Sequence, residues 1–65
     1  MKLITVTREI DGTKVYVNPD YVCAVFQHYH FPNTTVIQFP GNVENDMHVI
    51  ESVDTVANMI EKRIG

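Results

Sequence analysis

Residues 14–26 constrain the fold more than any other stretch, because a proline separates two strand-like runs there. Residues 14–17 have the β-branched and aromatic side chains that suit a pleated strand. Pro19 then removes a backbone donor and restricts the conformation of Asn18, so Asn18-Pro19-Asp20 predicts a corner. We expect the next strand to begin at Tyr21.

The run that starts at Tyr21 is apolar at both odd and even positions. Successive side chains of a strand point to opposite faces of the sheet, so neither face of this strand would be polar. A strand of this kind is typical of a sheet that is covered on both sides. Either the sheet curls over its own face or a second chain covers it, and strands this short favour the second chain. We therefore expect self-association, with an interface formed by Tyr21, Cys23 and Val25.

The remaining patterns complete a small α+β fold. Asp11-Gly12 predicts a tight hairpin turn, because glycine supplies the positive φ that such turns need. We predict strands at about residues 2–8, 13–18, 21–30, 34–39 and 47–50, and a helix at about 53–63. The expected fold is a single domain of residues 1–65: a five-stranded antiparallel meander, curled or barrel-like, with one C-terminal amphipathic helix.

The period of the apolar residues changes from two to about 3.6 after residue 52. An apolar stripe then runs through Val53, Val56, Ile60 and Ile64. Ser52 has the side chain of a helix N-cap, so we expect the helix to begin directly after it.

Length and composition exclude several classes of protein. A chain of 65 residues buries only about 60% of its unfolded surface, so its stability margin is thin. The single cysteine, Cys23, allows no internal disulfide and indicates a reducing, cytoplasmic setting. The start of the chain is too short in its apolar part for a signal peptide or a membrane span. Five scattered basic residues and a net charge of -3 argue against nucleic-acid binding.

Three histidines are the residues with the clearest potential for chemistry. His28, His30 and His48 fall on neighbouring predicted strands, where three imidazoles could hold a transition metal. The alternative, which we favour, is that they are ordinary surface groups beside a loop, with no metal and no cofactor. Cys23 in an apolar strand is typical of a small buried hydrophobe rather than of a nucleophile. The sequence contains no nucleophile elbow or phosphate-binding glycine loop, so we expect no enzyme and no catalytic residue.

Aromatic side chains suggest where binding occurs. Tyr29 and Phe31 lie beside the turn at Pro32, where a role in the core is hard to assign. Tyrosine and phenylalanine on a small sheet act as interface anchors or as stacking platforms for a base. The candidate binding residues are therefore His28, Tyr29, His30 and Phe31.

The sequence resembles one family from end to end. The matching pieces are residues 2–8, the Asp11-Gly12 turn, 16–20, 34–37, and 49–53 followed by Val56 and Ile60. These look like the FlbD/SwrD-type flagellar and swarming-motility proteins. The resemblance implies a small, cytoplasmic, non-enzymatic protein associated with motility. Residues 28–31 are longer and more aromatic than the usual link between the third and fourth strands of the family.

Three functions follow as hypotheses. The first is a small non-catalytic protein of the FlbD-like type, which acts through self-association and contacts with an unidentified protein. The second is a phage-encoded oligomer that sequesters a small nucleotide-like ligand, which Tyr29, Phe31 and the histidines hold at a subunit boundary. The third, which the composition disfavours, is nucleic-acid binding by the sheet. None of them involves insertion into a membrane.

Overall fold

The computed structural model describes residues 3–41 and 46–62. It is an α+β structure in which five short strands precede one helix. The elements in chain order are β1 (Ile4–Thr7), β2 (Lys14–Val17), a 3-10 turn (Pro19–Tyr21), β3 (Ala24–Gln27), β4 (Thr35–Gln38), β5 (Met47–Val49) and α1 (Val53–Lys62). Each strand falls inside the range predicted for it and is shorter than that range. The predicted end of the helix at residue 63 lies outside the described residues.

The hairpin between β1 and β2 follows the local sequence. Gly12 has φ +73°, the left-handed conformation that glycine adopts without steric cost. The Asp11 carboxylate accepts a hydrogen bond from the Thr13 N–H at 3.0 Å, and an exposed ion pair joins Arg8 to Asp11. The Thr13 hydrogen bonds hold the pKa of Asp11 below its ordinary value.

The predicted five-stranded meander is wrong. The strands form two antiparallel sheets instead, with the orders β1-β2 and β3-β4-β5. The sheets meet at one isolated bridge between Arg8 and Val49, flanked by hydrogen bonds from Glu9 N–H to the His48 carbonyl and from Ile50 N–H to the Thr7 carbonyl. Strands β2 and β3 do not pair, so the described chain is not a curled or barrel-like sheet.

The corner at Pro19 explains why β2 and β3 do not pair. The Asn18 side chain accepts a hydrogen bond from the Asp20 N–H at 3.0 Å, and Pro19 begins the 3-10 turn. The chain therefore leaves the first sheet, and Tyr21 belongs to this turn rather than to a strand. The prediction that the third strand begins at Tyr21 is wrong, because β3 begins at Ala24.

The core lies between the two sheets and the helix. Its buried members are Ile4, Val6, Val17, Ile37, Val49 and Val56. Helix α1 contributes Val56, while Met59 and Ile60 pack partly buried against the same cluster. The predicted N-cap is confirmed, because the Ser52 hydroxyl oxygen accepts a hydrogen bond from the Thr55 N–H at 3.1 Å.

Among residues 3–41 and 46–62, no helix has the length and apolar character needed to cross a membrane.

Candidate functional site

The two faces of the β3-β4-β5 sheet differ in what covers them. Odd-numbered residues such as Ile37 and Val49 point into the core. Even-numbered residues point outward, and the register places Phe26, Val36 and His48 in one row across the three strands. Val36 is only 3% exposed although it is not part of the core cluster. Its row neighbours therefore shield it on the outer side of the sheet.

Five rings from a loop and a strand cluster on this outer side, and His28 lies at their centre. Its ring centroid is 5.4 Å from that of Tyr29, with the planes nearly parallel, 5.0 Å from Phe31 and 5.2 Å from His48. The Tyr29 and His30 centroids are 4.1 Å apart. We call the surface formed by these rings and the neighbouring Phe26 the ring face; its members are Phe26, His28, Tyr29, His30, Phe31 and His48.

A hydrogen-bonded turn positions the rings of the loop. The His28 Nδ1 accepts hydrogen bonds from the N–H groups of His30, at 3.0 Å, and of Phe31, at 3.3 Å. An accepting Nδ1 carries no proton, so the neutral ring has its proton on Nε2. Since His28 acts here as an asparagine does in an Asx turn, the chain turns away from the β-ladder directly after β3.

Further contacts fix the loop against the sheet. The Gln27 Nε2 donates to the Pro32 carbonyl at 2.9 Å, and the Thr34 N–H donates to the Phe31 carbonyl at 3.0 Å. The buried Thr34 hydroxyl donates to the carboxylate of Glu9, the residue that follows the bridge between the sheets. The loop that carries the rings is therefore held by hydrogen bonds at both of its ends and is not a free tip.

The ring face is aromatic and largely exposed. Tyr29 is 85% exposed, Phe31 61% and Phe26 42%. With about 200 Å² for each such side chain, the three rings present roughly 400 Å² of aromatic surface. The largest apolar patch of a typical monomer covers about 300–600 Å² and is often functional. No member of the ring face is a lysine, arginine, aspartate or glutamate, and the Glu9 carboxylate lies at its border.

The histidines cluster without forming a metal site. In the described part of the chain, no group of three or more His, Cys, Asp or Glu residues could hold a metal ion. His28 and His48 meet edge to face at 86°, which is the arrangement of packed aromatic rings. The His28 Nδ1 is also occupied by two backbone N–H groups.

The structure places the three residues of the predicted interface, Tyr21, Cys23 and Val25, in different surroundings. Val25 points inward and packs against the core, whereas Tyr21 is 66% exposed on the 3-10 turn and Cys23 is exposed just before β3. These residues share no strand face because β3 begins only at Ala24. The four predicted binding residues, 28–31, do lie together, and the structure adds Phe26 and His48 to them.

A cleft of about 570 Å³ lies between the loop after β3 and the start of α1. Its lining combines Pro32 and Asn33 of the loop with Ser52, Val53 and Asp54 of the helix start. The Asp54 carboxylate lies where the helix N–H groups would otherwise attract an anion. This cleft is therefore poorly suited to a phosphate group.

A polar cluster away from the ring face joins β1, β2 and the start of the helix. The Glu51 carboxylate accepts from both the N–H and the hydroxyl of Thr7, each at 2.9 Å, and Lys14 Nζ donates to the Thr7 hydroxyl oxygen at 2.8 Å. Burial raises the pKa of Glu51, but the hydrogen bonds from Thr7 and the charge of Lys14 outweigh it, so its pKa is lowered. Each group has a partner, which indicates a structural role.

Comparison with models of protein families, with curated proteins and with solved structures finds no match to this chain. The resemblance to FlbD/SwrD-type proteins stays a prediction that rests on the residues quoted for it.

Proposed function

We propose that this chain is a small non-catalytic protein that acts through protein contacts made by the ring face. The observation that carries the proposal is the exposure of Tyr29 and Phe31 on a loop held by its own hydrogen bonds. A rigid, exposed aromatic pair is a common anchor of a protein interface. Its burial removes apolar surface from water, and no flexible segment has to become ordered first.

The chemistry of the ring face favours a protein partner over the alternatives. A nucleic-acid surface needs cations that meet phosphates, and the ring face has no lysine or arginine. A nucleotide needs a cationic group that binds its phosphate, whereas the ring face has no lysine or arginine and the Glu9 carboxylate lies at its border. An exposed aromatic face without lysine, arginine, aspartate or glutamate side chains fits the centre of a protein interface, where aromatic residues are enriched and charged residues are depleted.

The FlbD/SwrD resemblance supports the same class of function, and we propose motility as its setting. This proposal predicts that the protein supports swarming through a contact that the ring face makes. A cell that lacks the protein should regain swarming when it receives the wild-type chain. A chain with Tyr29→Ala and Phe31→Ala should not restore it.

The binding test compares two pairs of exposed aromatic residues. The tagged protein is incubated with an extract of its own cells, once as the Tyr29→Ala/Phe31→Ala variant and once as a Tyr16→Ala/Tyr21→Ala control. Tyr16 and Tyr21 are 70% and 66% exposed but lie outside the ring face. We expect the wild type and the control to retain the same proteins and the ring-face variant to lose them.

Equal retention by both variants would show that the ring face is not the contact surface. Circular dichroism of each variant shows whether it is folded. Because all four side chains are mostly exposed, their truncation should leave the fold intact.

A further inference from the structure

We infer that the loop after β3 is a pH-sensitive switch, in which protonation of the His28 ring breaks the turn that presents Tyr29 and Phe31. The turn is formed while the ring is neutral and opens when the ring takes up a proton. The consequence for binding rests on the proposed function: opening the turn disperses the rings and weakens the contacts that the ring face makes.

The two nitrogens of the His28 ring have different roles in the turn. Nδ1 accepts from the N–H groups of His30, at 3.0 Å, and of Phe31, at 3.3 Å, so the proton of the neutral ring is on Nε2. A second proton must therefore bind to Nδ1, which then becomes a donor. Because an N–H donor cannot accept from two backbone N–H groups, both hydrogen bonds are lost. The turn and the protonated ring exclude each other.

The sign of the pH dependence follows from this exclusion. Only the neutral ring supports the turn, so proton uptake favours the open loop. Histidine is the side chain that changes its charge between about pH 5 and pH 8. The turn should therefore be formed near pH 8 and be lost toward pH 5.

The other rings around His28 make the cluster more sensitive to acid. The ring centroids of His48, on β5, and of His30 lie 5.2 Å and 6.1 Å from that of His28. Charged imidazoles repel each other at such distances, and separation of the rings relieves the repulsion. The Tyr29 phenol stacks on His28 and adds no charge in this pH range. Acid therefore acts against the closed cluster as well as against the turn.

Two acidic residues border the cluster. The Glu9 carboxylate accepts from the Thr34 hydroxyl at the end of the loop, and Asp46 directly precedes β5, two residues before His48. A carboxylate attracts a protonated imidazole and so favours the charged form of a nearby histidine. The two acidic residues therefore promote proton uptake, and they do not stabilise a turn that needs the neutral ring.

The hydrogen bonds at the ends of the loop confine the change to its middle. The Gln27 Nε2 donates to the Pro32 carbonyl, and the Thr34 N–H donates to the Phe31 carbonyl. Amide and peptide groups do not change their charge in this pH range, so these bonds persist. Opening therefore concerns the ring-bearing residues and leaves the ladder between β3 and β4 intact.

The test is the hydrogen exchange of the amides of residues 30 and 31, measured by NMR from about pH 8 to about pH 5 and corrected for the intrinsic pH dependence of exchange. In the wild type we expect protection of both amides to fall at least about fivefold toward low pH, the factor that corresponds to one ordinary hydrogen bond. In His28→Asn the side-chain oxygen accepts at every pH, so protection should stay constant. His48→Asn removes a neighbouring histidine but keeps the His28 Nδ1, and it should retain the fall.

Unchanged protection in the wild type would overturn the inference, as would an equal fall in His28→Asn. A simultaneous loss of protection at Ile37 in β4 would also overturn it, because the whole chain and not the loop would then have opened.

The extract experiment separates this failure from that of the proposed function. At about pH 5 the wild type should release the proteins that it retains at neutral pH, and His28→Asn should keep them. If the ring-face variant loses its partners at neutral pH but the loop does not respond to pH, the switch alone is overturned. If the ring-face variant keeps its partners and the loop does respond, the proposed function is overturned and the opening of the loop stands.

Discussion

The contact between Glu51 and Thr7 gives the sharpest prediction about stability. Glu51 follows β5 and accepts two hydrogen bonds from Thr7 on β1, so one carboxylate ties the first sheet to the start of the helix. The substitution Glu51→Gln keeps the shape of the side chain but removes its charge. We expect it to lower the free energy of unfolding at neutral pH.

The magnitude follows from the type of bond that is lost. Hydrogen bonds to a charged group contribute about 1.5–3 kcal/mol, and those between neutral groups about 0.5–1.5 kcal/mol. Because Glu51 is only half-buried, we take the difference in free energy between the charged and the neutral hydrogen bonds from the lower end of these ranges. We expect Glu51→Gln to cost about 1–2 kcal/mol and to lower the Tm by roughly 5–10 °C. For a small domain with about 3–5 kcal/mol in total, this is a large share.

The pH dependence has a defined sign. The pKa of Glu51 is lower in the folded protein than in the unfolded chain, so its contribution is fully present above its ordinary pKa of 4.5. That contribution is lost as the pH falls through the folded pKa. The stability difference between the wild type and Glu51→Gln should therefore be constant near neutral pH and shrink as the pH falls below 4.5. The pKa of Asp11 is also lowered, but Asp11 is present in both proteins and cancels in the difference.

Urea unfolding followed by circular dichroism, repeated over this pH range, measures the effect. Glu61→Gln is the matched control, because Glu61 lies exposed on the last turns of α1. Removing its charge there should change stability by no more than a few tenths of a kcal/mol. Equal stability of Glu51→Gln and Glu61→Gln at neutral pH would refute the reasoning.

Three further changes test the fold. Val56→Ala should lower the free energy of unfolding in urea by about 2–3 kcal/mol, because Val56 is fully buried and its truncation leaves a cavity. A decrease of less than about 0.5 kcal/mol would show that α1 does not pack on the core through Val56. Gly12→Ala should cost about 1–2 kcal/mol through its positive φ alone, since a Cβ there meets nothing within 4 Å, and Gly12→Asn should cost less. His28→Asn should keep the turn after β3 and leave the hydrogen exchange of the amides of residues 30 and 31 slow, whereas His28→Leu should make that exchange faster. Equal exchange rates in the two variants would contradict the role assigned to the His28 Nδ1.

Local sequence signals predicted the elements well because their causes are local. Asp11-Gly12 required a particular φ, Ser52 supplied a cap, and Asn18-Pro19 removed a donor where the chain turns. Each of these effects acts within a few residues, so it can be read without knowing the rest of the fold. The positions of the strands followed for the same reason.

Strand pairing could not be predicted in this way, because it depends on contacts far apart in the chain. The bridge between Arg8 and Val49 and the Glu51–Thr7 hydrogen bonds join residues about 40 positions apart. Nothing in the local pattern distinguishes this arrangement from a meander. The apolar run after Pro19 predicts one long strand, but the 3-10 turn at Pro19–Tyr21 takes its first part out of the sheet.

The candidate site was found only in part. The aromatic composition of residues 28–31 marked the loop, but Phe26 and His48 join it through register. The even spacing of Phe26 and His28 was the available signal, since residues two apart on a strand share a face. The function of the His28 Nδ1 as a turn acceptor has no sequence pattern of its own.

The central claim, that the ring face is the contact surface, is tested most directly by covalent footprinting of the protein alone and after incubation with an extract of its own cells. A short-lived carbene probe labels side chains that water can reach, and mass spectrometry locates the label. The account predicts that labelling of Tyr29, Phe31 and His48 falls in the extract, while labelling of Tyr16 and Tyr21 stays constant. Unchanged labelling of the ring face, or protection of Tyr16 and Tyr21 instead, would contradict it.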